Sequence, residues 1–310
     1  MINAAELLRS KEEYLFNYSQ YQFLRKINKK ELFEKSLMYP MLKDIESGNV
    51  KIIELIQDGE THYFFIRLLE WDTRYFGFSI YRIEFILYNH NDLSILNNGI
   101  KKFIENHIGF GDYYMINIPC EDTLLTQSIC NTDFKLVETR LNYYLSDIQT
   151  FSAPRFSVRK ALNNDAENLR AVASKMRNKY DRVHADSAFS EKTADDYLGE
   201  FAFQSVNGFA DIVLVPNIEG VKPFGFLAGN NPINVCGINV SKLVLAAIDS
   251  SVEDGWLFKL LTEMVYCVKE MNADYLTTIT QASNKSAVHV WEKCGFKLGY
   301  TTHVFSLRKQ

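Results

Sequence analysis

Along residues 50–145 apolar side chains come mostly in short strand-like runs. VKIIELIQ and THYFFIRLL flank Asp58-Gly59-Glu60, two strand patterns around a tight turn whose glycine can take positive φ. WDTRYFGF follows, then a strand over IYRIEFILY, a helix near 92–107, a strand over YYMINIP, and the segment DFKLVETRLNYYLSDI. FSAPRFS reads as a linker. Past it FSVRKA is a short strand, and helices lie near 164–178 and 190–205. DIVLVPN and KPFGFLA are strands joined by a turn at Glu219-Gly220, and SKLVLAAI is a third strand. A helix near 256–271 carries Leu257, Leu260, Leu261, Met264 and Val268 as one apolar stripe. DYLTTIT is a strand, 284–294 a helix and YTTHVFSL the last strand. The second half thus runs strand, two helices, three strands, helix, strand, helix, strand.

Residues 1–46 read as helical, closed by Pro40 and then Ser47-Gly48. Tyr14, Tyr18, Tyr21 and Phe23 lie mostly three or four apart, so one helix face can dock on the rest of the chain. A repeat links the two halves. Phe134-Lys135-Leu136 is followed by Leu145 and Phe296-Lys297-Leu298 by Leu307, at the same offset, each after a strand and a helix. The expected fold is α/β with helices flanking a mixed sheet: a helical extension over 1–48, a first lobe over 49–150 and a related second lobe over 155–310.

Charge and composition narrow the function. The chain of 310 residues holds 34 basic and 38 acidic residues, a net −4, so no basic excess is available for nucleic acid. Apolar residues make up 47% and charged residues 23%, the balance of a globular protein. No apolar run approaches the ~18–20 residues needed to cross a bilayer, and MINAAELLRSKEEY lacks a secretory signal pattern. Five cysteines without a CxxC are expected as reduced thiols, and the chain is expected in the cytoplasm. The six histidines show no i, i+4 pair, so no metal site is expected; GxSxG, Walker and dinucleotide glycine patterns are absent.

The stretch DYLTTITQASNKSAVHVWEKCGF is a strand, a loop, a helix capped by Asn284, and a Cys-Gly stop. Ala287, Val288, Trp291 and Cys294 form its apolar face. Thr280-Gln281-Ala282-Ser283-Asn284-Lys285-Ser286-Ala287 with Trp291-Glu292-Lys293-Cys294-Gly295-Phe296 resembles the closing motif of the GNAT acyltransferase superfamily. Three further segments resemble the TDP-fucosamine acetyltransferase type within it: Trp71-Asp72-Thr73-Arg74-Tyr75-Phe76-Gly77-Phe78, Arg182-Val183-His184-Ala185-Asp186, and Tyr197 to Leu214. The segments come in the family's order and the likeness spans roughly 50–307.

The resemblance implies an N-acyltransferase with acetyl-CoA as co-substrate and no metal. The acceptor would be a small, nucleotide-linked amine, such as the amino sugar of a precursor for cell-surface polysaccharide. A homodimer is compatible with it. Backbone N–H groups of the strand at 243–248, including Leu245, Ala246 and Ala247, would hold the developing oxyanion. The CoA pyrophosphate would sit on a helix N-terminus at Asp254, Gly255, Trp256 and Leu257, with Asn284 and Ala287 on the CoA arm. Arg182, His184 and Asp186 would grip the acceptor, while Trp71 and Phe76 would be core aromatics beneath it. Trp291 stands where the family often has a proton-donating Tyr, and an indole N–H donates a hydrogen bond but no proton at neutral pH. His303 is the substitute acid or base; Tyr300, three positions away on the same strand, would point to the other face.

The loop Val252-Glu253-Asp254-Gly255 carries two acids and one glycine where the family's pyrophosphate loop is glycine-rich. Each carboxylate near a pyrophosphate costs about 1 kcal/mol or more. That leaves a second reading, a non-catalytic or altered-ligand protein on the same scaffold, with Trp256 and Phe258 filling the CoA space.

Overall fold

The computed structural model describes residues 3–176, 180–252 and 255–309. In chain order the elements are α1 (Ala4–Ser10), α2 (Glu12–Phe16), α3 (Lys29–Phe33), a π-helical turn (Glu34–Met38), α4 (Tyr39–Glu46), β1 (Val50–Gln57), β2 (Glu60–Leu68), α5 (Glu70–Phe76), β3 (Ile80–Leu87), α6 (Leu93–His107), β4 (Tyr113–Pro119), α7 (Thr123–Cys130) and β5 (Lys135–Leu145). Then come β6 (Val158–Lys160), α8 (Ala166–Lys175), α9 (Arg182–Ala185), α10 (Glu191–Gln204), β7 (Ile212–Pro216), β8 (Gly225–Val235), β9 (Ile238–Ile248), α11 (Trp256–Glu270), β10 (Tyr275–Gln281), α12 (Lys285–Lys293) and β11 (Lys297–Arg308). The chain forms two compact units, Met1–Arg140 with Tyr300–Gln310, and Leu141–Gly299.

In the first unit β1, β2 and β3 form an antiparallel meander, β4 lies parallel to β3, and β11 runs antiparallel to β4. The β1–β2 turn puts Asp58 and Gly59 at φ 53° and 79°, the paired positive φ of a two-residue hairpin loop. Neighbouring residues on β2 point to opposite faces and both are buried. Phe64 packs with α6 and α7 among Leu96, Ile100, Phe103, Leu125 and Ile129. Phe65 meets the extension through Leu8, Leu15, Phe33 and Met38. Burial on both faces explains why these strands read as nearly continuous apolar runs. The extension therefore docks, but not by one helix face, since Tyr14 is on α2 while Tyr18, Tyr21 and Phe23 lie in the turns that follow it; an Arg67–Asp44 ion pair at 2.6 Å ties α4 to β2. Pro40, expected to close the helical segment, sits instead inside a continuous helical run of α3, the π-helical turn and α4, and the π-helical turn lies just before it, where its missing N–H breaks the regular bond pattern.

The second unit repeats the order with additions. β7, β8 and β9 form the meander, β6 pairs on the outer edge of β7, and β10 lies parallel to β9. One face packs on α11 and α12 through Leu214, Leu227, Leu243, Leu260, Met264 and Trp291. The other carries Val213, Val215, Phe226 and Ala228 against Leu169, Ala173 and Ala202 of α8 and α10. The β8–β9 hairpin is longer than its sequence pattern suggests. It continues past the apolar run to a turn at Cys236-Gly237, with φ 51° and 85°.

Each unit takes in a strand remote in sequence. The first includes the end of β11 and the second the end of β5, so the units part inside those two strands, at 140/141 and 299/300. The sequence places its break at the linker instead, because a linker is marked by local composition and strand exchange is not. α5 has no buried residue, so Trp71 and Phe76 are not core. They belong to a half-exposed aromatic surface in which Trp71 stacks on Tyr75 at 5.7 Å.

Candidate active site

The second unit holds an opening between two parallel strands. β10 pairs with β9 only where Tyr275, Leu276 and Thr277 face Val240, Ser241 and Lys242. Beyond that point β9 continues to Ile248 and β10 to Gln281 with no pairing between them. Part of the cause lies on β9. Ala228 of β8 faces Leu245 while Gly229 faces Leu243, so Val244 is an extra residue, a bulge that bends the strand. Gly229 suits the bend, since a Cβ there would lie 3.3 Å from the Lys242 carbonyl and the Met264 sulfur. Residues 244–248 are consequently only half-buried, although β8 covers their other edge. On the facing strand Thr278 and Thr280 are buried while Ile279 is 41% exposed.

Helix ends line both sides. Asn284 caps α12, its Oδ1 accepting the Ala287 N–H at 3.2 Å. One turn further in, Trp291 is 4% exposed and its indole N–H has no hydrogen-bond acceptor. An unpaired buried donor costs about 1–3 kcal/mol, so its retention calls for an explanation. At the N-terminus of α11, Gly255 has φ 98°, and among the described residues nothing beyond its chain neighbours lies within 4 Å of where a Cβ would stand. That open space, next to first-turn N–H groups and the positive end of a 15-residue helix, fits an anion. Asp254 and its neighbour Glu253 fall outside the described residues.

The aromatic side chains of this turn are engaged with neighbours. Trp256 meets Phe224 edge-on at 5.2 Å, with the Lys259 ammonium 4.3 Å over its ring. Phe258 meets Phe156 at 6.1 Å, and Lys293 lies 5.0 Å over it. Lys259 brings a positive charge to the first turn of α11. Just before this turn, hydrogen bonds from the Ser251 N–H and hydroxyl hold the Asp249 carboxyl below the usual range.

The acceptor candidates cluster around α9. His184 is buried between two carboxylates, its Nδ1 2.8 Å from Asp181 and its Nε2 3.1 Å from Asp195. Arg182 donates to the Tyr197 hydroxyl at 3.4 Å, and buried Asp186 accepts the Ala188 N–H at 2.9 Å. Leu245, Ala246, Ala247, Gly255, Trp256, Leu257, Asn284, Ala287 and Trp291 all belong to β9, α11 and α12 around the opening. His303 belongs to the first unit, where its ring bridges Cys120 Sγ at 3.3 Å and Thr139 Oγ1 at 3.1 Å. The two residues named for catalysis from the sequence thus lie in different units.

One polar group beside α12 has no signal in local spacing. Tyr143, on β5, donates to the Glu292 carboxylate at 3.0 Å. Burial, helped by Glu292, pushes its phenol up to about 12. Only the repeated segment DFKLVETRLNYYL points toward this strand.

Among the described residues no three His, Cys, Asp or Glu side chains are grouped to hold a metal, and no helix is long and apolar enough to cross a membrane.

No family model matches the sequence, and no curated protein does. Solved structures match in fold. A GCN5-related N-acetyltransferase from Sphaerobacter thermophilus is 13% identical, with a TM-score of 0.54, over 89% of this chain and 86% of that one. A functionally unknown conserved protein from Staphylococcus epidermidis ATCC 12228 is 12% identical, with a TM-score of 0.53, over 86% and 98%. An acetyltransferase of the GNAT family from Colwellia psychrerythraea is 11% identical, with a TM-score of 0.50, over 86% and 96%. The chain has the fold of these proteins.

Proposed function

We propose that the protein is an N-acyltransferase that passes an acyl group, acetyl in the simplest case, from acyl-CoA to the amine of a nucleotide-linked amino sugar. The observation that carries this reading is the opening between β9 and β10, with the Val244 bulge on one side and two helix N-termini beside it. A thioester between the strands would present its carbonyl oxygen to unpaired N–H groups of residues 244–248. Charge grows on that oxygen as the amine attacks, so fixed donors stabilise the transition state more than the ground state. The first turn of α11, at Gly255, Trp256 and Leu257, suits the pyrophosphate, and Lys259 adds a positive charge to that turn. Asn284 and Ala287 suit the pantetheine arm.

The reaction is a direct displacement. The amine nitrogen bonds to the acyl carbon, the carbon–sulfur bond breaks, and the amine's proton leaves to solvent or a nearby base. Trp291 contributes a hydrogen bond to the departing sulfur through its unpartnered indole N–H. Thiolate is a stable leaving group, so the absence of an acid at that position lowers the rate by about 10²-fold without abolishing the reaction. Arg182, His184 and Asp186 recognise the acceptor, with Asp181 and Asp195 fixing the His184 ring. The reading as a non-catalytic scaffold draws less support, because Trp256 and Phe258 pack on Phe224 and Phe156.

The test is release of free CoA from acetyl-CoA with a panel of nucleotide-linked amino sugars, the product identified by mass. Saturable release with one of them is the expected result. No release with any of them, together with no acetyl-CoA binding at millimolar concentration, overturns the reading.

A further inference from the structure

The first unit carries a second arrangement with chemistry in it, which the proposed transfer does not use. Three neighbouring strands, β4, β11 and β5, bring together Cys120, His303 and Thr139. Cys120 follows the last residue of β4, and its N–H donates to the Thr301 carbonyl at 3.1 Å, which fixes it beside β11. His303 Nε2 lies 3.3 Å from Cys120 Sγ, within reach of a sulfur hydrogen bond, and His303 Nδ1 lies 3.1 Å from Thr139 Oγ1. All three residues are partly exposed, so a reagent can reach the sulfur.

With Nδ1 protonated and donating to Thr139, Nε2 turns its lone pair toward the thiol. A nucleophile, a base in contact with it and a third group orienting the base is the general pattern of activated thiols and hydroxyls. We infer that Cys120 is a nucleophile toward acyl thioesters, with His303 as its base and Thr139 as the residue that positions the His303 ring.

The step is a thioester exchange. Cys120 Sγ bonds to the acyl carbon, the bond from that carbon to the donor's sulfur breaks, and the Cys120 proton passes through His303 Nε2 to the departing sulfur. One thioester is made and one broken, so no further reactant is needed. Burial, with Glu121 adding to it, pushes the Cys120 thiol up, so no standing thiolate does the work. The sulfur must lose its proton as it attacks, which is what the contact with His303 allows. The inference rests on the proposed function only for the identity of the natural donor, an acyl-CoA.

The experiment uses the reduced full-length protein and two donors, phenyl thioacetate, which needs no CoA site, and acetyl-CoA. Hydroxylamine-labile acetyl on each cysteine peptide is followed by mass spectrometry. With phenyl thioacetate, Cys120 is expected to label at least about 10-fold faster than Cys130, the exposed thiol that serves as internal reference. His303→Gln slows Cys120 by about 10²-fold and leaves Cys130 unchanged. Thr139→Val slows Cys120 several-fold and Thr139→Ser restores it, which a purely structural threonine would not do. Labelling of Cys120 no faster than Cys130 in the unmodified protein overturns the inference without any variant, even if acetyl-CoA binds tightly. Labelling by phenyl thioacetate but not by acetyl-CoA sustains the thiol site and removes acyl-CoA as its donor.

Discussion

In the first unit β3 and β4 pair at four positions, from Ile80 opposite Tyr113 to Ile83 opposite Ile116, and then separate; in the second, β9 and β10 pair at three and separate. A helix follows the later strand in each case, and its cap accepts an N–H three residues on at 3.2 Å: Leu125 to Asp122, and Ala287 to Asn284. The difference is what stands at the opening. In the first unit the Tyr14 and Tyr18 hydroxyls each donate to Asp122 Oδ2 at 2.6 Å, and Tyr14 also lies 3.2 Å from the Ile86 carbonyl of the parted β3. The extension supplies the polar partners that a ligand would otherwise supply. In the second unit residues 244–248 keep an unpaired edge. One side-chain choice separates the two. A carboxylate has two acceptor oxygens, so Asp122 caps a helix with one and holds two phenols with the other; the Asn284 amide has one acceptor, and its NH₂ is suited to a carbonyl.

The comparison can be broken in four ways. The largest expected effect is that of Asp122→Ala, which removes a cap worth about 1 kcal/mol and strands a buried hydroxyl worth about 1–3. Chemical denaturation should register a loss of about 3 kcal/mol, against about 1 for Asn284→Ala; equal losses would mean that the tyrosines do not depend on Asp122.

Next comes alkaline pH. Burial raises Tyr14 and Tyr18 well above the usual phenol value, Asp122 adds to both, and Tyr18 adds to Tyr14. Unfolded tyrosines release protons from about pH 10, while these two keep theirs in the native state. Their contribution is therefore complete below about pH 10 and is lost as pH rises toward the raised values, at up to about 1.4 kcal/mol per pH unit for each. A Tyr14→Phe/Tyr18→Phe double variant should show a flatter decline above pH 10 than the parent, and parallel declines would remove the two phenols from the account.

Third, calorimetry should find one acetyl-CoA site per chain. Gly255→Val, forcing a branched side chain to φ 98° and into the open space, should weaken that site by at least about 10-fold, or about 1.4 kcal/mol. Two sites per chain would mean that the extension does not fill the first opening. The smallest effect belongs to Trp291→Phe. Stability should change by less than about 1 kcal/mol, because the lost N–H had no partner, while kcat falls several-fold at unchanged KM if that N–H meets the departing sulfur.

Much of the frame is legible in local pattern. Asp58-Gly59 between two strand-like runs can close only a tight hairpin, and Asn284 ahead of an apolar helical stripe is a cap on any fold. The element order of the second half follows the same way apart from the short added α9; the docking face of the extension does not, because Tyr18, Tyr21 and Phe23 lie in turns and not on one helix. The candidate site was read from a string of residues around Asn284 on β10 and α12, and the residues proposed with it on β9 and α11 lie by the same opening. His303 shows where local pattern stops: its strand belongs to the second half of the sequence, yet β11 pairs with β4 of the first unit. Cys120 and Thr139 have no shared signal, because three residues on three strands become neighbours only through pairing.

The sequence by itself determined the periods, turns and caps, since each depends on residues within a few positions of one another. Tertiary structure alone decided which strand completes which unit, where β9 bulges at Val244, and that the tyrosines of the extension meet Asp122 while Asn284 meets none. Those outcomes depend on long-range register and on burial from both faces of a strand. An alternating pattern specifies that a face is buried, and says nothing of which distant segment buries it.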